Sequence, residues 1–206
     1  MRLLLIRHGY TIQNEKRVQQ NHLDELNEIG HKQAIKVANR MKEYGFDKLI
    51  SSPLRRALQT AKYISEQTGL EIETMSELSE VRRPSHIMGH SNDSDLVKAV
   101  KTEMNHHATD PMWYHSDEEN WFDLKKRVST ALLKVSQMES TNILAVSHGV
   151  AIKMALSLAL FGEHLTPLQY GYVYDNFLIE NTGIAELVFA NGDWKILSFN
   201  DHGHLW

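Results

Sequence analysis

The chain has 206 residues, 42% of them hydrophobic and 23% charged, which is the composition of one globular domain with a sizeable core. A net charge of −4 leaves no basic excess for a nucleic-acid backbone, and no apolar run reaches membrane-span length. Cysteine is absent, which excludes disulfides, thiolate catalysis and cysteine-ligated zinc; with a strand starting at residue 2 and no room ahead of it for a signal peptide, the expected location is cytoplasmic.

Strand and helix patterns alternate along the chain. Residues 2–6 (Leu3-Leu4-Leu5-Ile6) read as a strand buried on both faces, and a polar loop over 9–26 follows, long enough to be functional. Ala34, Val37, Ala38, Met41 and Tyr44 recur at helical spacing and predict a helix over 27–44, stopped by Gly45. Residues 46–51 read as a strand, 53–68 as a helix opened by Pro53 and closed by Gly69, and 70–74 as a short strand. Residues 81–118 break the rhythm. They hold Pro84, Gly89, Pro111 and five histidines, with one helix expected near 94–107, and read as an insertion over the sheet. A helix over 120–138, a strand over 143–147 and a helix over 149–160 come next. A hairpin, 184–190 with 194–199, is turned by Asn191-Gly192. The expected architecture is a three-layer α/β/α sandwich with a mostly parallel central sheet, a single domain over 1–206 carrying a lid insertion at about 81–118.

Two of the aliphatic runs end in the same way: Arg7-His8-Gly9 after the first strand and Ser147-His148-Gly149 after residues 143–147. Open α/β sheets bind ligands just outside the carboxyl ends of their strands, so these two imidazoles are expected to face one crevice. The residues around them suit a phosphomonoester, which must be neutralised, attacked in line, and relieved of a leaving group that needs a proton. Arg7 adjoins His8 and Arg56 lies near the start of helix 53–68; a guanidinium fork binds two phosphate oxygens. Backbone amides at the start of helix 149–160 would add an anion site beside His148. A neutral imidazole can attack phosphorus, and Glu80, at the end of Glu77-Leu78-Ser79-Glu80, is placed to handle the proton. His86 and His90 have an i, i+4 spacing, but Pro84 and Gly89 argue against a helix there, so no metal site is expected. Met88, Met104, Met112, Trp113 and Tyr114 either roof the pocket or pack the insertion onto the sheet.

Arg7-His8-Gly9 with Thr11 and Asn14, the run Ser51-Ser52-Pro53-Leu54-Arg55-Arg56-Ala57-Leu58-Gln59-Thr60-Ala61, Leu78-x-Glu80 and Ser147-His148-Gly149 together resemble the histidine phosphatase superfamily, the family of cofactor-dependent phosphoglycerate mutases and related phosphatases. Leu26-Asn27-Glu28-Ile29-Gly30-His31-Lys32-Gln33-Ala34 and the ending Asn200-Asp201-His202-Gly203-His204-Leu205 are similar to that family as well. The resemblance implies a transient phosphohistidine on His8, a phosphoryl group held by Arg7, Arg56, His148, Asn14 and the Gly149 amide, and Glu80 as proton donor and then activator of water. It implies no catalytic role for Arg55. Tyr10 stands where many members carry an acidic residue, and with Arg82 and Arg83 it is a candidate for specificity. Residues 117–121, Asp-Glu-Glu-Asn-Trp, lack the glycine of the family's "G-E-S" element, whose acid is equated here with Glu119. The expected function is hydrolysis of a small phosphorylated substrate with no metal or organic cofactor, and no nucleic-acid or membrane partner. A phosphoglycerate mutase and a non-catalytic binder of phosphorylated ligands are the alternatives.

Overall fold

In the computed structural model, which describes residues 1–206, the first aliphatic run forms β1 (Arg2–Arg7) inside a six-stranded sheet. The first helix is a single turn, α1 (Ile12–Glu15), within the loop that follows β1. Then come α2 (Glu28–Met41), β2 (Lys48–Ser51), α3 (Arg55–Thr68), β3 (Ile72–Thr74), α4 (Asp95–His106), α5 (Trp121–Ser136), β4 (Asn142–Ser147), α6 (Gly149–Phe161), α7 (Pro167–Asn176), β5 (Ile184–Ala190) and β6 (Asp193–Asp201). The sheet order is β3-β2-β4-β1-β5-β6; the first four strands are parallel, and β5 and β6 are antiparallel.

The uninterrupted apolar runs have a simple cause. Leu3, Leu5, Ile143 and Ala145 point to a core shared with α5 and α6, whereas Leu4, Ile6, Leu144 and Val146 point to a core under α2 and α3. Both faces of β1 and β4 are covered, so neither strand can alternate with polar residues. The α/β/α layering expected from the sequence is the architecture observed.

Several boundaries differ from the sequence reading. Helix α2 ends at Met41 rather than 44, leaving Tyr44 in a turn, and β2 starts at Lys48 rather than 46. The loop after β1 contains α1, capped reciprocally by Thr11 and Asn14. Helix α7 lies in a stretch whose weak periodicity raised no expectation; its signal is the capping box of Thr166 and Gln169 with Pro167 in the first turn. The hairpin forms as expected. Asn191 and Gly192 both have positive φ, 56° and 88°, as its two-residue turn requires.

Residues 81–118 build a small core of their own from Ile87, Val97 and Val100, with Met88 and Met104 against it. This segment is stitched to the loop after β1: the Gly89 amide donates to Gln19 O (3.0 Å), the Gln19 amide to His90 O (2.9 Å) and the Asn92 amide to Arg17 O (2.8 Å). Met88 and Met104 thus pack the segment together, while Met112 is 82% exposed.

Candidate active site

Parallel pairing sets β1 and β4 side by side with Arg7 opposite Ser147, so the next residue of each strand, His8 and His148, leaves the sheet at the same place. Their ring centroids are 5.1 Å apart, and both side chains are almost wholly buried, at 2% and 0% exposure. The His8 ring has one orientation that satisfies its neighbours. Nδ1 lies 2.8 Å from Gly9 O and must carry the hydrogen, because a carbonyl only accepts. Nε2 then bears the lone pair, and the Arg56 Nε–H donates to it at 3.2 Å. Burial first, and then the charges of Arg56 and Arg7, hold the His8 imidazole well below its ordinary 6.5, which keeps it neutral and nucleophilic. His148 is held neutral by burial and Arg56 in the same way. One of its nitrogens, Nε2, is 2.8 Å from Ser52 Oγ, and Nδ1 has no partner.

The cations converge on this pair from two elements. Arg56, in the first turn of α3, also donates through Nη1 to Asn21 O at 2.7 Å. Arg7 donates through Nη1 to Ile179 O at 2.5 Å, and its buried Nε is unpartnered. Unsatisfied buried polar groups are rare in folded proteins, so the free Nε–H of Arg7 and the unpartnered Nδ1 of His148 mark a place for a polar group, with Arg7 calling for an acceptor.

Behind them, residues 179–183 brace β1. Asn181 Nδ2 donates to His8 O (2.8 Å), and the Thr182 amide donates to Arg7 O (3.0 Å) from a φ of 60°, a costly conformation for a β-branched residue. The brace is in turn held by the C-terminal segment, where Asn200 Oδ1 accepts from the Glu180 amide (2.7 Å) and His204 Nε2 sits 3.0 Å from Thr182 Oγ1. Asn14 uses its Oδ1 to accept from Thr11 and Asn181, leaving its side-chain Nδ2 free as a donor.

The start of α6 departs from expectation. Its first-turn amides were expected to bind the substrate anion, yet those of Val150 and Ala151 donate to the Glu80 carboxylate at 3.2 and 3.3 Å. A carboxylate belonging to the protein already meets the positive end of this helix, and within the first turn the Gly149 amide remains. Glu80 is thereby seated next to His148. Glu77 faces away and pairs with Lys134 (2.5 Å), which lowers its pKa.

A sequence profile of the histidine phosphatase superfamily (branch 1) matches residues 3–202, nearly the whole chain. The chain belongs to that superfamily. Its similarity to an uncharacterized phosphatase, PhoE, of Bacillus subtilis is 28% identity over 98% of this chain and 95% of the relative. It is 27% identical to a probable phosphoglycerate mutase, GpmB, of Shigella dysenteriae, over 100% of this chain and 95% of the relative. Among solved structures, phosphoserine phosphatase from Entamoeba histolytica in complex with phosphoserine superposes with a TM-score of 0.80 at 30% identity, covering 100% of this chain and 99% of that one.

This superfamily member treats its remaining candidate residues unequally. Arg82 is exposed and donates to the carbonyls of Asp117 (2.8 Å) and Glu118 (3.4 Å), whereas Arg83 lines a pocket beside Glu80 and reaches only the Tyr174 hydroxyl (3.5 Å). Tyr10 is held by its backbone, with its amide donating to Gln33 and its carbonyl accepting from Asn27. Glu119 is buried in a two-pronged pair with Arg127 (2.6 and 2.7 Å), and Arg127 also donates to the carbonyls of Glu77 and Ser79 (2.8 Å each). No three His, Asp or Glu side chains form a metal-ligand set; His86 rests against the His115 ring. Four further residues hold the site with no role announced in the sequence: Ser52, Asn181 and Arg127, and Thr60, whose Oγ1 accepts from the Gly9 amide at 3.0 Å. Ser52 and Thr60 lie inside the run from Ser51 to Ala61; Asn181 and Arg127 have no local signal.

Proposed function

We propose that this protein hydrolyses phosphomonoesters through a phosphohistidine on His8. The observation that carries the reading is the His8 imidazole itself, neutral, buried, and turned so that its Nε2 lone pair faces the site between two arginines. In the ground state Arg56 Nε–H holds that lone pair. An arriving dianion takes over the donors of Arg56 and Arg7, the open nitrogen of His148, the Gly149 amide and Asn14, and the freed Nε2 attacks phosphorus in line. Glu80, anchored on α6, gives a proton to the departing alkoxide and then takes one from the water that hydrolyses the phosphohistidine. The arginines supply the positive field that a metal gives in other phosphatases, so turnover should survive chelation by EDTA and be inhibited by vanadate. The partner in this reading is a small phosphorylated substrate and the location cytoplasmic, the latter resting on the cysteine-free composition.

The test is His8→Ala. Turnover should vanish with the fold retained, and wild type quenched during turnover should carry an acid-labile, base-stable phosphoryl group. A His8→Ala enzyme with near-normal turnover would overturn the mechanism. The similarity to a probable phosphoglycerate mutase supports a second reading, in which the phosphoryl group returns to a sugar acid. Release of inorganic phosphate from an aryl phosphate at the rate of aryl alcohol release favours the hydrolase; retention of the phosphoryl group until a sugar acid is added favours the mutase.

A further inference from the structure

A pocket of about 520 Å³, within the range of small-molecule sites, opens against Val81 and Val150, the neighbours of the Glu80 carboxylate. Val81 and Val150, whose amides both donate to the Glu80 carboxylate, form part of its wall. If Glu80 protonates the leaving oxygen, as proposed above, a group bonded to that oxygen is directed past Val81 and Val150 toward this pocket. A three-carbon alcohol would leave most of the volume to water.

The wall holds two donors with no partner and two cations with only one long contact each. Lys101, half buried on α4, reaches only Asn92 Oδ1 at 3.4 Å, and Arg83 only the Tyr174 hydroxyl at 3.5 Å; neither is within 4.0 Å of a carboxylate. The Tyr170 hydroxyl and the Trp121 indole N–H are buried with no partner at all. Of the carboxylates on the wall, Glu119 is taken by Arg127 and Glu118 by the amides of His115 and Ser116, while Asp110 and Asp175 are exposed to solvent. Burial and the facing Arg83 lower the pKa of Lys101, a cost that an anion between the two cations would relieve. Flat rings complete the pocket: Trp113, stacked on His107 at 4.4 Å and 12°, with Trp121 and Tyr174. Stranded buried donors call for an acceptor, and flat rings for a flat partner.

We propose that this pocket is the leaving-group subsite, and that the alcohol half of the substrate joins a flat ring system to a second anionic group, the ring lying among Trp113, Trp121 and Tyr174 and the anion meeting Arg83, Lys101 and Tyr170. The proposal rests on the phosphomonoesterase reading above. It is tested with two aryl phosphates alike in shape, 6-carboxy-2-naphthyl phosphate and its 6-carbamoyl analogue, whose uncharged substituent withdraws more electron density and makes the better leaving group, so intrinsic reactivity opposes the preference expected. Wild type should prefer the carboxylate by at least about tenfold in kcat/KM, the worth of one hydrogen-bonded charge. Arg83→Gln and Lys101→Gln should each pull that ratio below about threefold. The ratio does not depend on the active fraction, so partial misfolding cannot imitate the result.

A second measurement needs no hydrolysis. Binding of 6-hydroxy-2-naphthoate and 6-hydroxy-2-naphthamide, followed by tryptophan fluorescence, should show the same preference and the same loss. Equal binding of the two, or a preference that survives both substitutions, overturns the subsite. If neither ester is hydrolysed but the naphthoate preference holds and falls with Arg83→Gln and Lys101→Gln, the phosphomonoesterase reading fails and takes the leaving-group role with it, while the pocket stands as a binding site for a ring and an anion. Equal hydrolysis with equal binding leaves the reverse.

Discussion

At the scale of single residues, the chemistry depends on which carboxylate faces the leaving group. Four acids lie near the site in sequence, and the structure separates them by what each one touches: Glu77 meets Lys134, Glu118 meets backbone amides, Glu119 meets Arg127, and Glu80 alone sits on α6 next to His148. An alkoxide needs a proton as the P–O bond breaks, whereas a nitrophenolate does not. Glu80→Gln should therefore slow alkyl phosphate hydrolysis by about 10²–10⁴-fold while the phosphohistidine still forms readily from nitrophenyl phosphate. Rapid-quench labelling would show this as accumulated phosphoenzyme. If Glu77→Gln shows that leaving-group dependence and Glu80→Gln does not, the proton donor has been assigned to the wrong carboxylate.

At the scale of elements, two contacts hold the site in shape. The first is a backbone crossing between the loop after β1 and α2. A Cβ on Gly30 would lie 2.0 Å from Tyr10 O and one on Gly9 would lie 2.6 Å from Gly30 O, and both obstacles are backbone, which cannot swing aside. Gly30→Ala should cost about 1–3 kcal/mol or more in urea denaturation and displace the His8 loop. Gly45→Ala, with nothing within 4 Å of its Cβ, is the neutral control. The second contact is Arg127, which ties α5 to Glu119 and to the two carbonyls just ahead of Glu80. Arg127→Met leaves Glu119 buried without its partner and should cost about 3 kcal/mol in the same assay. Because it loosens the segment carrying Glu80, kcat for alkyl phosphates should fall more than KM rises.

At the scale of the whole molecule, burying neutral histidines makes stability depend on pH. His8 and His148 keep pKa values well below 6.5 in the folded protein, while the unfolded chain takes up protons on both as pH falls through 6.5. The unfolded state then binds more protons than the native one, so stability is lost on acidification. Each histidine contributes a slope of up to about 1.4 kcal/mol per pH unit below 6.5. Asp201, paired with Arg40 and lowered to about 2, loses its contribution only below its ordinary 3.8, outside that window. Urea denaturation of His8→Gln at pH 6.5, 6.0, 5.5 and 5.0 should show a slope shallower than wild type by about one histidine's share. An unchanged slope would mean that His8 is protonated in the native protein.

Much of this was legible in local pattern. Unbroken aliphatic runs announced strands covered on both faces, helical spacing placed α2, α3 and α5 within a few residues, and two His-Gly strand ends marked the crevice. These signals survive in one dimension because burial imposes a period of 2 or 3.6 on the residues of a single element. Pairing between elements leaves no such trace. Nothing near Glu80 in sequence shows that it occupies the amides of α6, nothing in Arg82-Arg83 shows that one guanidinium turns to the 117–118 carbonyls and the other to the pocket, and Glu119 finds its partner only when α5 docks. The layers and the two His-Gly strand ends with their arginines could be read from the chain alone; which carboxylate docks on the amides of α6, and which donors stay open around it, could not, since those outcomes depend on distances set when separate elements pack.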